Sequence, residues 1–80
     1  MTRRTAAKPA GHLDLRGLDP PEPMRRALEA IEMLGAGDEL AIVTDREPML
    51  LQRELERRKH AFVSTTSAHG CTTNVRRGVS

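Results

Sequence analysis

The stretch Leu13-Asp14-Leu15-Arg16-Gly17-Leu18-Asp19-Pro20-Pro21-Glu22-Pro23 limits what this chain can fold into more than any other. Leu13 and Leu15 alternate with Asp14 and Arg16, the pattern of a strand with one buried face. Gly17 then admits a backbone conformation that a residue with a Cβ resists. Asp19 reads as a helix N-cap, and Glu22 three residues later completes a capping-box-like start. Pro20 and Pro21 lack an N–H to satisfy and have φ fixed near the helical value, which suits a first turn. A strand, a tight turn and a helix are thus packed into about a dozen residues.

Beyond Pro23 the spacing predicts a helix. Met24, Ala27, Leu28, Ile31 and Leu34 form one apolar stripe, and Arg25, Arg26, Glu29 and Glu32 take the other face. Glu22–Arg26 and Arg25–Glu29 are i,i+4 pairs of opposite charge. Gly35 and Gly37 stop the helix. Glu39 to Val43 reads as a strand buried on both faces or nearly so. Thr44 and Asp45 offer caps for a second helix, with Pro48 in its first turn. Leu51 and Leu55 face the core there, with Leu50 or Met49 beside them. The helix ends in the cationic run Arg57-Arg58-Lys59-His60, which complements the negative end of its dipole. Ala61 to Thr66 and Thr72 to Val75 are rich in β-formers, and His69-Gly70 supplies the turn of a hairpin.

The order is β-α-β-α-β-β. It predicts an α/β fold of the α+β two-layer sandwich type: a small mixed four-stranded sheet with two helices on one face. The domain is expected over residues 12–77. Residues 1–11 read as a disordered leader, being polar, basic and small, and 78–80 as a disordered tail.

Eighty residues make one domain at most. A domain of this size buries only about 60–65% of the surface its unfolded chain exposes, so the core is small. The single cysteine excludes an intramolecular disulfide, which suits a reducing, cytoplasmic setting. No segment is long and apolar enough to span a membrane, and Arg3 and Arg4 are not followed by the apolar run of a secretion signal. Excess base sits at the ends, in Arg3, Arg4 and Lys8 and in Arg76 and Arg77, and reads as solvated tails. Phe62 is the only aromatic residue, so base-stacking platforms are absent and no nucleic-acid partner is expected. No phosphate loop, dinucleotide fingerprint or serine–histidine–acid motif is present.

The strand–turn–helix resembles the signature of the TusA/SirA-like family of small bacterial sulfur carriers. Gly37-Asp38-Glu39-Leu40 and the turn from Thr44-Asp45 to Pro48 support the resemblance, which spans His12 to Thr66. In that family the turn carries cysteine, proline, a variable residue and a second proline. Pro21, Glu22 and Pro23 match the last three, and Pro20 holds the place of the cysteine. The version without cysteine resembles an uncharacterised bacterial branch, domain of unknown function 2249, from which no activity carries over. In the sulfur carriers the cysteine sits at a helix N-terminus, where exposed N–H groups and the dipole favour thiolate. Proline has neither a nucleophile nor an ionisable group. The resemblance therefore implies the fold without the relay.

Three functions remain. The first is a non-catalytic adaptor for an unidentified protein partner. Its motif and helix start is Gly17, Asp19, Pro20, Pro21, Glu22 and Pro23, and its contact surface is the ridge Arg25, Arg26, Glu29 and Glu32. The second is a sulfur carrier or redox protein acting through Cys71, expected as an exposed or half-buried thiol that His69 would activate if the two side chains converged. The third is a small-ligand, metal or haem binder using His12, His60 and His69. These histidines have no zinc-site spacing, so no metal ligands and no cofactor are assigned. Asp14, Asp19, Glu22 and Asp45 read as caps and turn residues before they read as paired catalytic carboxylates. The adaptor ranks first, with no enzymatic activity expected.

Overall fold

The computed structural model describes residues 11–78. The predicted leader lies outside these residues except for Gly11, and the predicted tail except for Gly78. The elements are β1 (Gly11–Asp14), α1 (Glu22–Glu32), β2 (Glu39–Thr44), α2 (Met49–Arg57), β3 (Ala61–Ser67) and β4 (Gly70–Arg76). Gly11, expected in the leader, is instead the first residue of β1 and pairs with Leu40.

The four strands form one mixed sheet in the order β1-β2-β4-β3. β1 and β2 are parallel, joined by α1, and β4 runs antiparallel to both β2 and β3. Both helices lie on one face. Leu15, Ala27, Ile31, Leu40, Ile42, Leu51, Leu55 and Val75 form the core between the layers. Burial along β4 alternates, with Cys71, Thr73 and Val75 all at 0% exposure on the helix side. Thr73 tolerates this position because its hydroxyl lies 2.9 Å from Ser64 Oγ, within hydrogen-bond reach. Along β2, Leu40 and Ile42 enter the core. Ala41 faces the side of the sheet without helices yet is buried at 6% exposure, and Val43 beside it is half-buried, so β2 is nearly covered on both faces, as expected.

Three local expectations are corrected. Helix α1 begins at Glu22 with Pro21 as N-cap and no side-chain cap, so Asp19 does not cap it; its carbonyl instead accepts the Glu22 N–H at 2.9 Å. The first helical hydrogen bond runs from the Arg25 N–H to the Pro21 carbonyl at 3.0 Å, so the helix opens two residues past the position that Asp19 could cap. Helix α2 likewise has Pro48 as N-cap and no side-chain cap. Thr44 and Asp45 are too far upstream to serve it. Thr44 Oγ1 donates to the Arg46 carbonyl at 2.7 Å, and Asp45 is used elsewhere. Met49 and Leu50 stand exposed, at 64% and 69%, while Leu51 and Leu55 alone reach the core.

Arg76 and Arg77 are not solvated tail. Arg76 closes β4 and pairs with Glu39 at 2.8 Å. Arg77 Nη1 donates to the carbonyls of Ile31, Glu32 and Leu34 at 3.2, 2.8 and 2.8 Å, covering the C-terminus of α1. Gly78 N–H donates to His60 Nδ1 at 2.9 Å, which ties the start of the predicted tail to the chain just before β3.

Candidate functional site

Parallel β1 and β2 bring their C-terminal ends, and the N-termini of the helices that follow, to one end of the sheet. The β3–β4 turn lies at the same end. Ligand crevices of α/β sheets form at this end, so it is the first place to look for a site.

The β1–α1 turn is fixed by contacts from distant parts of the chain. Leu15 N–H donates to the Val43 carbonyl at 2.7 Å, carrying the pairing one residue past β1. Gly17 has φ +82°, and its N–H donates to Asp45 Oδ2 at 2.8 Å. Arg16 grips the Asp14 carboxylate with Nε at 3.0 Å and Nη2 at 2.8 Å, and its Nη1 reaches the His69 carbonyl at 3.2 Å. One arginine therefore links the end of β1 to the β3–β4 turn. These hydrogen bonds hold the Asp14 carboxyl down to about 2. Pro20 and Pro21 follow, both exposed, joined by a cis peptide bond, and lead into α1.

On α1, Glu22 accepts from Arg25 at 2.8 Å and from Arg26 at 3.1 Å, and Arg25 reaches on to Glu29 at 2.7 Å. The two arginines hold Glu22 down to about 2. Glu32 pairs instead with Arg58 of the α2 C-terminus at 3.1 Å, and Arg58 also grips Glu54 at 2.6 Å. The predicted ridge is thus present on the surface, with its charges paired to one another and to α2.

The four carboxylates are not gathered. Asp14 belongs to Arg16, Asp45 to Gly17, and Glu22 to Arg25 and Arg26, while Asp19 sits exposed in the turn. Asp14 and Glu22, both held ionised by arginine, are poor proton donors near neutral pH. Among the described residues no group of three or more His, Cys, Asp or Glu could hold a metal ion. His12 and His69 are exposed on different elements, and His60 accepts the Gly78 N–H.

Cys71 is fully buried, opposite Thr44 in β2 and Thr66 in β3, and not the exposed or half-buried thiol expected. His69 stands in the turn, exposed, and the strand begins only at Gly70, so the pair does not converge on one face. Sequence reasoning missed Arg16 and Asp45 as the residues that fix the turn. Their partners lie 53 and 28 positions away, and no local spacing signals such contacts.

The fold, with a proline-led helix following a parallel edge strand, is that of the SirA-like proteins. It is similar to the crystal structure of a SirA-like protein from Desulfitobacterium hafniense, with a TM-score of 0.73 and 23% sequence identity over 86% of this chain and 99% of that one. A comparison with curated proteins returns no match. Residues 12–75 match the family model described as "Uncharacterized conserved protein (DUF2249)", and the chain belongs to that family. Among the described residues no helix is long and apolar enough to cross a membrane.

Proposed function

We propose that this domain is a non-catalytic adaptor that binds another protein through the outer face of α1 and the turn leading into it. The observation that carries the reading is the exposed Pro20-Pro21 pair ahead of α1, with the chain's one thiol buried at 0% exposure on β4. Pro20, which holds the cysteine's place in the resembling family, offers no atom that can attack or hold a proton. What that end offers a partner is shape and charge: two prolines, Asp19, and the arginine–glutamate lattice of Glu22, Arg25, Arg26 and Glu29.

Two measurements test this reading. In cross-linking pull-downs, the double variant Arg25→Glu, Arg26→Glu should keep its circular dichroism spectrum and lose its captured partner by about tenfold or more, since reversed charges oppose a complementary surface. Equal capture would remove the α1 face from consideration. Intact mass after incubation with a cysteine desulfurase and cysteine should show no added sulfur. A persulfide on Cys71 would instead favour the carrier reading.

A further inference from the structure

β3 forms one border of the sheet, and among the described residues no strand lies beyond it. One hydrogen bond reveals which of its backbone groups are free. Arg77 N–H donates to the Asp38 carbonyl at 2.9 Å, one step past the Glu39–Arg76 pair of the β2–β4 register. Successive residues of a strand in an antiparallel sheet bond alternately to its two neighbours. Arg77, Val75, Thr73 and Cys71 therefore bond towards β2, and Arg76, Asn74, Thr72 and Gly70 towards β3. The β3 partners of the second set are Ala61, Val63, Thr65 and Ser67. Phe62, Ser64 and Thr66 are left with their N–H and C=O groups directed away from β4, along the free border.

Sheet borders are ordinarily blunted by charge, proline, a bulge or short length. The opposite border, β1, is four residues long and carries Asp14. β3 has seven residues, none charged and none proline, and its register with β4 runs without a bulge.

We propose that a second copy of this chain docks on this border, β3 against β3, antiparallel about a two-fold axis through Ser64. The strand is complementary to itself in that register. Ser64 faces its own mate and Phe62 faces the partner's Thr66, so the outward backbone groups of each copy satisfy those of the other. On the face without helices, Val63 meets the partner's Thr65, a favourable β-branched pair that covers a side chain otherwise 66% exposed. No charge meets its like at the axis. Ser64 is neutral, and so is Gln52, whose Nε2 donates to Ser64 Oγ at 2.9 Å. An axis normal to the sheet keeps both helix layers on the same side, giving one eight-stranded sheet. An extended peptide from another protein would use the same backbone groups, but it is the strand's own sequence that matches the strand.

Sedimentation equilibrium of the full chain, with amide hydrogen exchange across a concentration series, tests the proposal. Wild type should dimerise, and protection of the Phe62, Ser64 and Thr66 amides should rise with concentration. Ser64→Pro deletes an outward N–H and spares the β3–β4 ladder. Val63→Lys places two ammonium groups beside the axis. Each should stay folded by circular dichroism and raise the dimer dissociation constant by about tenfold or more. If Ser64→Pro does not fold, Val63→Lys and the exchange data decide alone. A monomer at every concentration overturns the proposal. So does a dimer whose three amides exchange freely, or a folded variant that associates like wild type. Protection gained by a monomer only on adding a foreign extended peptide overturns it in favour of strand donation by another protein.

Discussion

A methyl group at Gly70 would lie 2.4 Å from the Thr44 carbonyl oxygen, a backbone atom of the central sheet, at a φ of +132°. At Gly17 φ is +82°, yet an added Cβ would meet nothing within 4 Å. The two glycines thus separate backbone strain from steric exclusion. Gly17→Ala should cost about 1–2 kcal/mol, the strain of a left-handed alanine. Gly70→Ala should cost more, about 2–4 kcal/mol, because the β2–β4 pairing must also give way. Urea denaturation of the two variants beside wild type measures the gap, and equal losses would mean that the Thr44 contact is soft. Sequence alone marked Gly17 as a turn residue and Gly70 as part of a turn. It gave no hint of the approach to Thr44, which joins positions far apart in the chain. Cys71 and Thr73 were obscured for another reason. Small, weakly apolar residues carry little hydropathy signal, and their burial follows from lying on the helix side of a central strand.

The helices show a similar division at the scale of elements. The apolar stripes of α1 and α2 follow helical periodicity, which is local, and Ala27, Ile31, Leu51 and Leu55 are buried as the pattern predicts. The i,i+4 pair Arg25–Glu29 was legible for the same reason. Helix ends were not. α1 has no basic residue in its last turn, and the cation that meets its C-terminal carbonyls is Arg77, more than forty positions on. Removing it leaves three carbonyls of the helix end without their charged donor. Arg77→Ala should therefore lower stability by about 1–2 kcal/mol, and Arg77→Lys by less, since a single ammonium keeps the charge near the dipole. Thermal unfolding followed by circular dichroism distinguishes them. Equal losses for both variants would show that guanidinium geometry matters more than charge.

Across the whole molecule, the response to pH separates into two windows. Burial pushes the His60 imidazole below its ordinary value of 6.5, with Arg77 and Arg58 adding to the push. Its Nδ1 also accepts the Gly78 N–H, which requires a lone pair there. The unfolded chain therefore takes up a proton at His60 more readily than the folded one. This contribution is present above about pH 6.5 and is lost as pH falls towards the lower folded value. The carboxylates of Asp14, Glu22 and Glu54, held down to about 2 by arginines, act in a more acid window. Their contribution is complete above the ordinary carboxylate range and fades as pH drops towards 2. Equilibrium denaturation between about pH 7.5 and 5 should show wild type losing stability, with a shallower decline for His60→Gln. Parallel curves would exclude His60 as the source. The element order and the two-layer class were legible because periodicity and turn residues report them. The position of β4 between β2 and β3 was not, since strand order depends on pairings between distant segments.

Placement of β4 at the centre also determines when the domain can form. Among the described elements it comes last in the chain, yet it alone joins β2 to β3. In a fragment without β4, the native pairings up to β3 are the parallel β1–β2 ladder alone, with no ladder to β3. Such a fragment leaves both flanks of the missing strand open to wrong partners. The two halves of the sheet are therefore joined only once Gly70 to Arg76 is available to pair with both.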